Sequence, residues 1–87
     1  MNKDVQTNIK LSHILRDWDP FAAGGDFYDT ETADTIQAVY QYDDQNELAQ
    51  KIQEIYEFSF EQKLPLASCL EVAERLLQVK NEASCQL

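Results

Sequence analysis

The side chains that could carry out chemistry in this chain are few, and they lie far apart. His13 is the only histidine, and the two cysteines, Cys69 and Cys85, are distant from it in sequence. A nucleophilic cysteine needs a base beside it, and zinc needs histidine or cysteine ligands at short spacing. Cys69 is predicted to be a small buried side chain and Cys85 to lie in an exposed tail. We predict no catalytic residue, no metal ligand set and no cofactor, and hence a protein that is not an enzyme.

Carboxylates are plentiful between Asp17 and Glu31, and they suggest a cation site. A calcium-binding loop places oxygen ligands at its first, third and fifth positions and a bidentate carboxylate at its twelfth. Counted from Asp17, the fifth position is Phe21 and the twelfth is Tyr28. The spacing therefore fails the calcium motif, and a carboxylate metal-binding regulator remains an alternative hypothesis.

The charge of the chain is concentrated in its middle. The formal net charge is -9, and residues 17–61 contain twelve acids against the single base Lys51, a balance of -11. Such a field repels phosphate backbones and anionic lipid, so we predict binding to neither nucleic acid nor membrane. A basic protein partner would be attracted. The alternative is that the acids only keep a small protein soluble.

The segment from Trp18 to Gly24 has the composition of a packed corner. Asp19 is a good helix N-cap, Pro20 suits the first helical position, and Gly24 can adopt the left-handed conformation that ends a helix. Trp18 would then pack on Ala23 as a hydrophobic staple. The predicted corner consists of Trp18, Asp19, Pro20, Phe21 and Gly24.

The stretch that follows combines aromatic rings with acids, which is typical of an apolar anchor with a charged rim. An alternative is that the rings close the end of a small core, which we favour for Trp18 and Phe21 and leave open for Phe27 and Tyr28. The predicted partner-binding residues are Asp26, Phe27, Tyr28, Asp29, Glu31 and Asp34.

Four segments show the 3.6-residue apolar period of amphipathic helices. The first is predicted at about residues 5–17, the second begins after Asp29 or Thr30, and the third is capped by Asp44. The last is predicted from about Leu66 to Asn81, with a frayed tail from Glu82; a start two residues later is the alternative, because Ser68 and Glu71 have capping-box spacing. The predicted inward faces are listed in chain order: in the first helix Val5, Ile9, Leu11, Ile14, Leu15 and Trp18; in the second Ala33, Ile36, Val39 and Tyr40; in the third Leu48, Ile52, Ile55, Tyr56 and Ser59; and in the fourth Cys69, Val72, Ala73, Leu76 and Leu77.

With 87 residues, the chain has the length of one small domain, residues 1–87. Four amphipathic segments with short connections predict an all-α fold, a compact antiparallel bundle of about four helices with a short helical turn after the first. Two cysteines, no apolar N-terminal stretch of signal-peptide type and no apolar run of membrane-spanning length predict a reduced cytoplasmic protein.

The sequence also resembles a known family. Trp18-Asp19-Pro20-Phe21, the stretch from Gly25 to Glu31, the stretch from Leu48 to Ile52, and Cys69 together are similar to the YugE-like family of small uncharacterised bacterial proteins. The resemblance covers nearly the whole chain. It implies an all-helical cytosolic protein and leaves the function open. The Trp-Asp-Pro opening is also loosely similar to some immunity proteins of bacterial toxin systems.

The leading functional hypothesis is a non-enzymatic protein-interaction module whose acidic middle binds a basic protein partner. An immunity-type inhibitor of a toxin is a narrower version of this hypothesis. A homodimer that buries Phe58, Phe60 or Tyr28 is a further alternative.

Overall fold

Four α-helices form a small antiparallel bundle. The computed structural model describes residues 3–22, 24 and 28–85, and the helices are α1 (Lys3–Trp18), α2 (Asp29–Gln41), α3 (Gln45–Phe60) and α4 (Leu66–Cys85). The described residues contain no strand. Helix α3 packs most extensively on α4, α4 packs also on α1, and α3 packs also on α2. The Cα radius of gyration, 12.3 Å, is close to the value of about 12 Å expected for a folded chain of this length.

The helix ends follow local chemistry. The Asp44 carboxylate accepts a hydrogen bond from the Glu47 backbone N–H at 2.9 Å, which caps α3 as the sequence predicts. The Pro65 carbonyl accepts bonds from the N–H groups of Ser68 and Cys69, so α4 begins at Leu66 and not at the later alternative. The predicted fraying from Glu82 is wrong for the backbone, because α4 continues to Cys85.

The core lies between α3, α4 and the inward sides of α1 and α2. Burying one such aliphatic side chain contributes about 1.5–3 kcal/mol relative to leaving it exposed. The predicted faces of α1 and α4 are buried at Leu11 and Leu15 and at all five positions from Cys69 to Leu77. The largest fully buried side chains are Tyr28, Tyr56, Leu11, Leu15, Leu48, Ile52, Leu76, Val39 and Val72.

The predicted inward face of α2 is only partly right. Val39 is buried and Ile36 is half-buried against the core, as predicted, whereas Ala33 is exposed and Tyr40 is 45 % exposed. Thr32, Thr35 and Ala38 are buried as well, and threonine is small enough to pack inside.

Two smaller predictions about inward faces also fail. Val5 and Ile9 do not extend the buried side of α1, since they are 44 % and 43 % exposed, and Thr7 is buried in their place. In α3, Ser59 is exposed and Ile55 only half-buried, while Ala49 is buried. The inward side of α3 is centred on Leu48, Ile52 and Tyr56, so side chains further round the helix are left at the surface.

Candidate functional site: a groove between α2 and α3

The corner after α1 is held by Asp19, though not in the predicted role. Asp19 has φ 34°, in the left-handed region, and its N–H donates to the Leu15 carbonyl at 3.4 Å, so it ends α1. It does not have the extended conformation of an N-cap. The Ala22 N–H then donates to the Asp19 carbonyl at 3.1 Å, which closes a tight turn over Pro20 and Phe21. The predicted staple partner, Ala23, lies outside the described residues.

The Asp19 carboxylate joins both ends of the corner. It accepts from the Gly24 N–H at 3.3 Å and from the Tyr28 hydroxyl at 2.6 Å, and that hydroxyl accepts in turn from the Phe21 N–H at 3.1 Å. Gly24 has φ 95°, which only glycine adopts readily. The predicted corner residues are thus brought together, and they have bonds that a structural joint requires.

The aromatic rings of the corner close one end of the core. Trp18 meets Tyr56 edge-on with ring centroids 5.3 Å apart, and Phe21 lies 4.8 Å from Phe60. Tyr28 packs between Tyr56 and Phe60 and is completely buried. The rings of Trp18, Phe21 and Tyr28 therefore belong to the packing of the protein.

The six predicted partner-binding residues do not form one exposed patch. Asp26 and Phe27 lie outside the described residues. Tyr28 and Glu31 are buried, at 0 % and 7 % exposed, so their prediction as partner-binding residues is wrong and Tyr28 instead closes the end of the core. The remaining two lie at the surface. Asp29 faces Arg16 at 3.8 Å, and Asp34 lines a groove.

That groove runs between α2 and α3, which lie side by side. It consists of two neighbouring depressions of about 290 and 270 Å³, and Asp34, Lys51 and Ile55 line both of them. The lining residues on α2 are Asp34, Gln37, Ala38 and Gln41; those on α3 are Lys51, Glu54, Ile55, Phe58 and Ser59. We call this surface the α2–α3 groove.

The lining of the α2–α3 groove is mixed, with the apolar side chains Ala38, Ile55 and Phe58 among polar and charged ones. Phe58, at one end, is 89 % exposed, and half-buried Ile55 provides further apolar surface. Asp34 stands opposite Glu54, whose carboxylate lies 3.9 Å from the Lys51 ammonium. Large apolar side chains so exposed often mark a contact surface when they join an apolar patch.

The α3 side of the groove is indicated by a pattern in the sequence. Glu47, Lys51, Glu54 and Phe58 follow one another at intervals of four, three and four residues, which places them along one side of a helix. Phe58 is not part of the inward face predicted for this helix, and it is exposed in the structure. On the α2 side, Asp34 is among the predicted partner-binding residues, whereas Gln37 and Gln41 were missed because they appear as ordinary solvated surface.

Three polar side chains meet inside the protein. The hydroxyls of Thr35 and Tyr56 are both buried, and neither has a hydrogen-bond partner of good geometry. Burial raises the pKa of Tyr56 well above its usual value of 10.0; the nearby Thr35 hydroxyl partly opposes this increase, and the charge of Glu31 adds to it. The depressions lined by Asp34 or by His13 do not include these side chains, and we assign the cluster no chemistry.

His13 and Cys69, the other side chains with possible chemistry, lie outside the α2–α3 groove. His13 is exposed on α1 and lines a third depression together with Val5, Ile9 and Arg16. Cys69 is buried, as predicted, with a free thiol whose pKa burial raises to about 11. Among the residues that the structure describes, no three histidine, cysteine or acidic side chains gather as metal ligands would. None of the described helices has the length and apolar character needed to cross a bilayer.

Comparison with known proteins supplies the family. The model of a family described as a domain of unknown function, DUF1871, matches residues 10–86. The chain belongs to this family. It is 56 % identical over 76 residues to the uncharacterized protein YugE of Bacillus subtilis (strain 168), a match that covers 87 % of this chain and 88 % of that protein. The resemblance to YugE-like proteins predicted from the sequence is thereby confirmed.

A solved structure shares the fold. A protein from Bacillus stearothermophilus, known from its crystal structure, superposes with a TM-score of 0.87 at 46 % identity, over 90 % of this chain and 96 % of that one. The helical bundle is therefore common to bacterial relatives, and no function is attached to the names of any of these proteins.

Proposed function

We propose that this protein is a cytoplasmic, non-enzymatic interaction module that binds a basic protein partner through the acidic surface of α2 and α3. The observation that supports the proposal is the position of the acids. Asp34, Glu47, Glu54 and Glu57 all lie exposed on these two helices, and the only base within residues 17–61 is Lys51. Such a surface speeds the approach of a cationic partner and disfavours an acidic one.

Several of the other acids already have intramolecular roles, which reduces the number of acids available to contact a partner. Asp44 caps α3, Asp43 lies 2.7 Å from the Lys80 ammonium, and Asp19 organises the corner. Glu31 is buried. Asp34, Glu47 and Glu57 show no ion pair among the described residues, so their charge is available to a partner.

The test compares two variants of identical net charge. Asp34→Lys combined with Glu57→Lys reverses charge on α2 and α3, while Glu71→Lys combined with Glu74→Lys does the same at exposed positions of α4. A partner is first captured from an extract of the source cell at low ionic strength, purified, and its Kd measured by calorimetry at several salt concentrations. We expect the α2–α3 variant to raise Kd at least tenfold and the α4 variant to raise it less than threefold.

Two results would count against the proposal. One is a captured partner whose binding surface is acidic or whose affinity does not depend on salt. The other is an equal effect of the two charge-reversal variants, because this would show that only the overall field matters and not the acids of α2 and α3.

A further inference from the structure

We infer that the α2–α3 groove receives an amphipathic helix of the partner, with an apolar side chain of that helix packed on Phe58 and Ile55 and its basic side chains beside Asp34 and Glu54. This inference rests on the proposed function and specifies the shape of the partner. It follows from three features of the groove: the apolar side chains in its lining, its two helical walls, whose backbone groups are already bonded, and its charged residues.

Three side chains provide the apolar surface of the groove. Ala38 is buried, Ile55 is half-buried, and Phe58 is exposed and lines the same depression as Asp34. Phe58 is 89 % exposed, so nearly its whole ring is in contact with water. An apolar side chain of a partner that covered the ring would remove this unfavourable exposure. Aromatic anchors in desolvated pockets contribute most of the binding energy in many interfaces.

A helix suits this groove better than an extended segment does. An extended peptide binds well where a sheet edge offers backbone N–H and C=O groups, and no strand occurs among the described residues. Both walls of the groove are helices, whose backbone groups are already bonded within the helix. A helical ligand satisfies its own backbone and needs only side-chain contacts, which are what the groove provides.

The dimensions agree with about two helical turns. The α2 wall extends from Asp34 to Gln41, and the α3 wall from Lys51 to Ser59. At about 1.5 Å per residue these walls are roughly 10 to 12 Å long. A ligand helix would therefore contact the groove with apolar residues at positions i, i+3 or i+4, and i+7.

Charge selects a basic helix over a second copy of this chain. In a dimer formed through this groove, two chains that each have a net charge of -9 would face each other with their acidic helices. The like charges would then repel each other. The charge of the groove is not uniformly negative, because the Lys51 ammonium lies near the Glu54 carboxylate on the same wall. A bound helix should therefore place its bases near Asp34 and Glu54 and avoid the position opposite Lys51.

The experiment is a selection from a phage-displayed library of random 16-residue peptides on the intact protein. We expect enriched peptides with apolar residues at helical spacing and interspersed lysine or arginine. The best peptide is then synthesised; it should gain helical circular dichroism on binding, and its Kd is measured by fluorescence anisotropy. Phe58→Ala should raise Kd at least tenfold, Asp34→Lys with Glu54→Lys at least tenfold, and Lys51→Gln should lower Kd two- to fivefold.

Controls separate binding from folding. Phe58 is almost fully exposed, so Phe58→Ala should leave the thermal midpoint unchanged. Ile9→Ala removes an exposed apolar side chain from α1, outside the groove, and should not alter peptide binding. Sedimentation equilibrium of the wild type and of Phe58→Ala tests self-association, and a dimer that depends on Phe58 would overturn the inference.

The outcomes also distinguish this inference from the proposed function. Basic peptides that lack helical spacing and are insensitive to Phe58→Ala would overturn the helix-binding groove while leaving the acidic interaction module intact. Helical peptides that depend on Phe58 but carry no bases would instead refute the preference for a basic partner. A selection that enriches no sequence would overturn the inference as well.

Discussion

The Tyr28 hydroxyl donates a hydrogen bond of 2.6 Å to the Asp19 carboxylate, and this contact joins the end of α1 to the start of α2. The Tyr28 ring is fully buried against Tyr56 and Phe60, so its hydroxyl has a fixed position from which to hold the corner. The same hydroxyl accepts from the Phe21 N–H. One side chain thus links the corner both to the core and to the first residue of α2.

Tyr28→Phe should lower the free energy of unfolding by about 1–3 kcal/mol. The substitution keeps the ring but leaves the Asp19 carboxylate and the Phe21 N–H without this partner, and a hydrogen bond to a charged group is worth more than a neutral one. Urea denaturation monitored by circular dichroism measures the change. The matched control is Tyr40→Phe, which removes the exposed 2.7 Å bond to Asn8 and should cost under about 0.5 kcal/mol. Equal effects of the two variants would contradict the role assigned to Tyr28.

The Lys80 side chain of α4 holds the end of α2. Its ammonium donates to the Val39 carbonyl at 2.9 Å and to the Tyr42 carbonyl at 3.5 Å, and it lies 2.7 Å from the Asp43 carboxylate. A helix leaves its last carbonyls without internal partners, and a cation there also complements the helix dipole. Lys80 side-chain exposure is 17 %, whereas that of Asp43 is 92 %. The bonds to the carbonyls therefore matter more than the ion pair, which is screened by water.

Lys80→Met should accordingly destabilise the protein more than Asp43→Asn does. We expect a loss of about 1–2 kcal/mol for the lysine variant and under about 0.5 kcal/mol for the aspartate variant. Thermal and urea unfolding give both values, and Lys63→Met, at an exposed position, controls for the loss of one positive charge. If Asp43→Asn proved as costly as Lys80→Met, the ion pair, and not the bonds to the carbonyls, would be the main contribution of Lys80.

The sequence predicts the four helices and the sides of α1 and α4 that face the core, because strong apolar residues recur there at the helical period. It is only partly right in α2, where Val39 is buried as predicted but Thr32 and Thr35 are buried too and Tyr40 is half-exposed. Tyr28, immediately before this helix, is buried against Tyr56 and Phe60 of α3, which are distant from it in sequence. No local period contains that information.

The corner and the groove could likewise be predicted only in part from the sequence. Pro20 and Gly24 predict a turn correctly, but Asp19 ends α1 and bonds Tyr28, nine residues later, a contact that depends on the return of the chain. The α3 side of the groove could be found from Phe58, an aromatic residue off the buried face. Its opposite wall, from Asp34 to Gln41, becomes a site only because α2 lies beside α3.

Tyr56→Phe should leave the stability of the protein unchanged or raise it by up to about 1 kcal/mol. The Tyr56 hydroxyl is buried without a hydrogen-bond partner of good geometry, and so is the Thr35 hydroxyl. Burying an unpaired hydroxyl is costly, and its removal from a well-packed ring eliminates that cost. Urea denaturation at pH 7 measures the change, with Tyr42→Phe at a partly buried position as the control. A loss of more than about 1 kcal/mol would show that the Tyr56 hydroxyl makes a favourable bond.

Stability should fall in alkaline solution, and Cys69 should contribute to the fall. Burial raises the pKa of the Cys69 thiol from its usual 9.0 to about 11, so the unfolded chain loses this proton first as the pH rises. Between about pH 9 and 11 the unfolded state binds fewer protons than the folded state, and the free energy of unfolding therefore decreases with pH. Tyr56, whose pKa burial also raises, acts in the same direction at higher pH.

Cys69→Ala should make the alkaline decrease in stability smaller, since the variant has no thiol to ionise at this position. The measurement is the urea midpoint at pH 7 and at pH 10 for the wild type and for Cys69→Ala, with the change between the two pH values compared so that the cost of the smaller side chain cancels. The native thiol should also react slowly with iodoacetamide at pH 8 and become reactive in urea, because the thiolate is the nucleophile. A wild type and variant with the same pH dependence would show that Cys69 ionises normally in the folded protein.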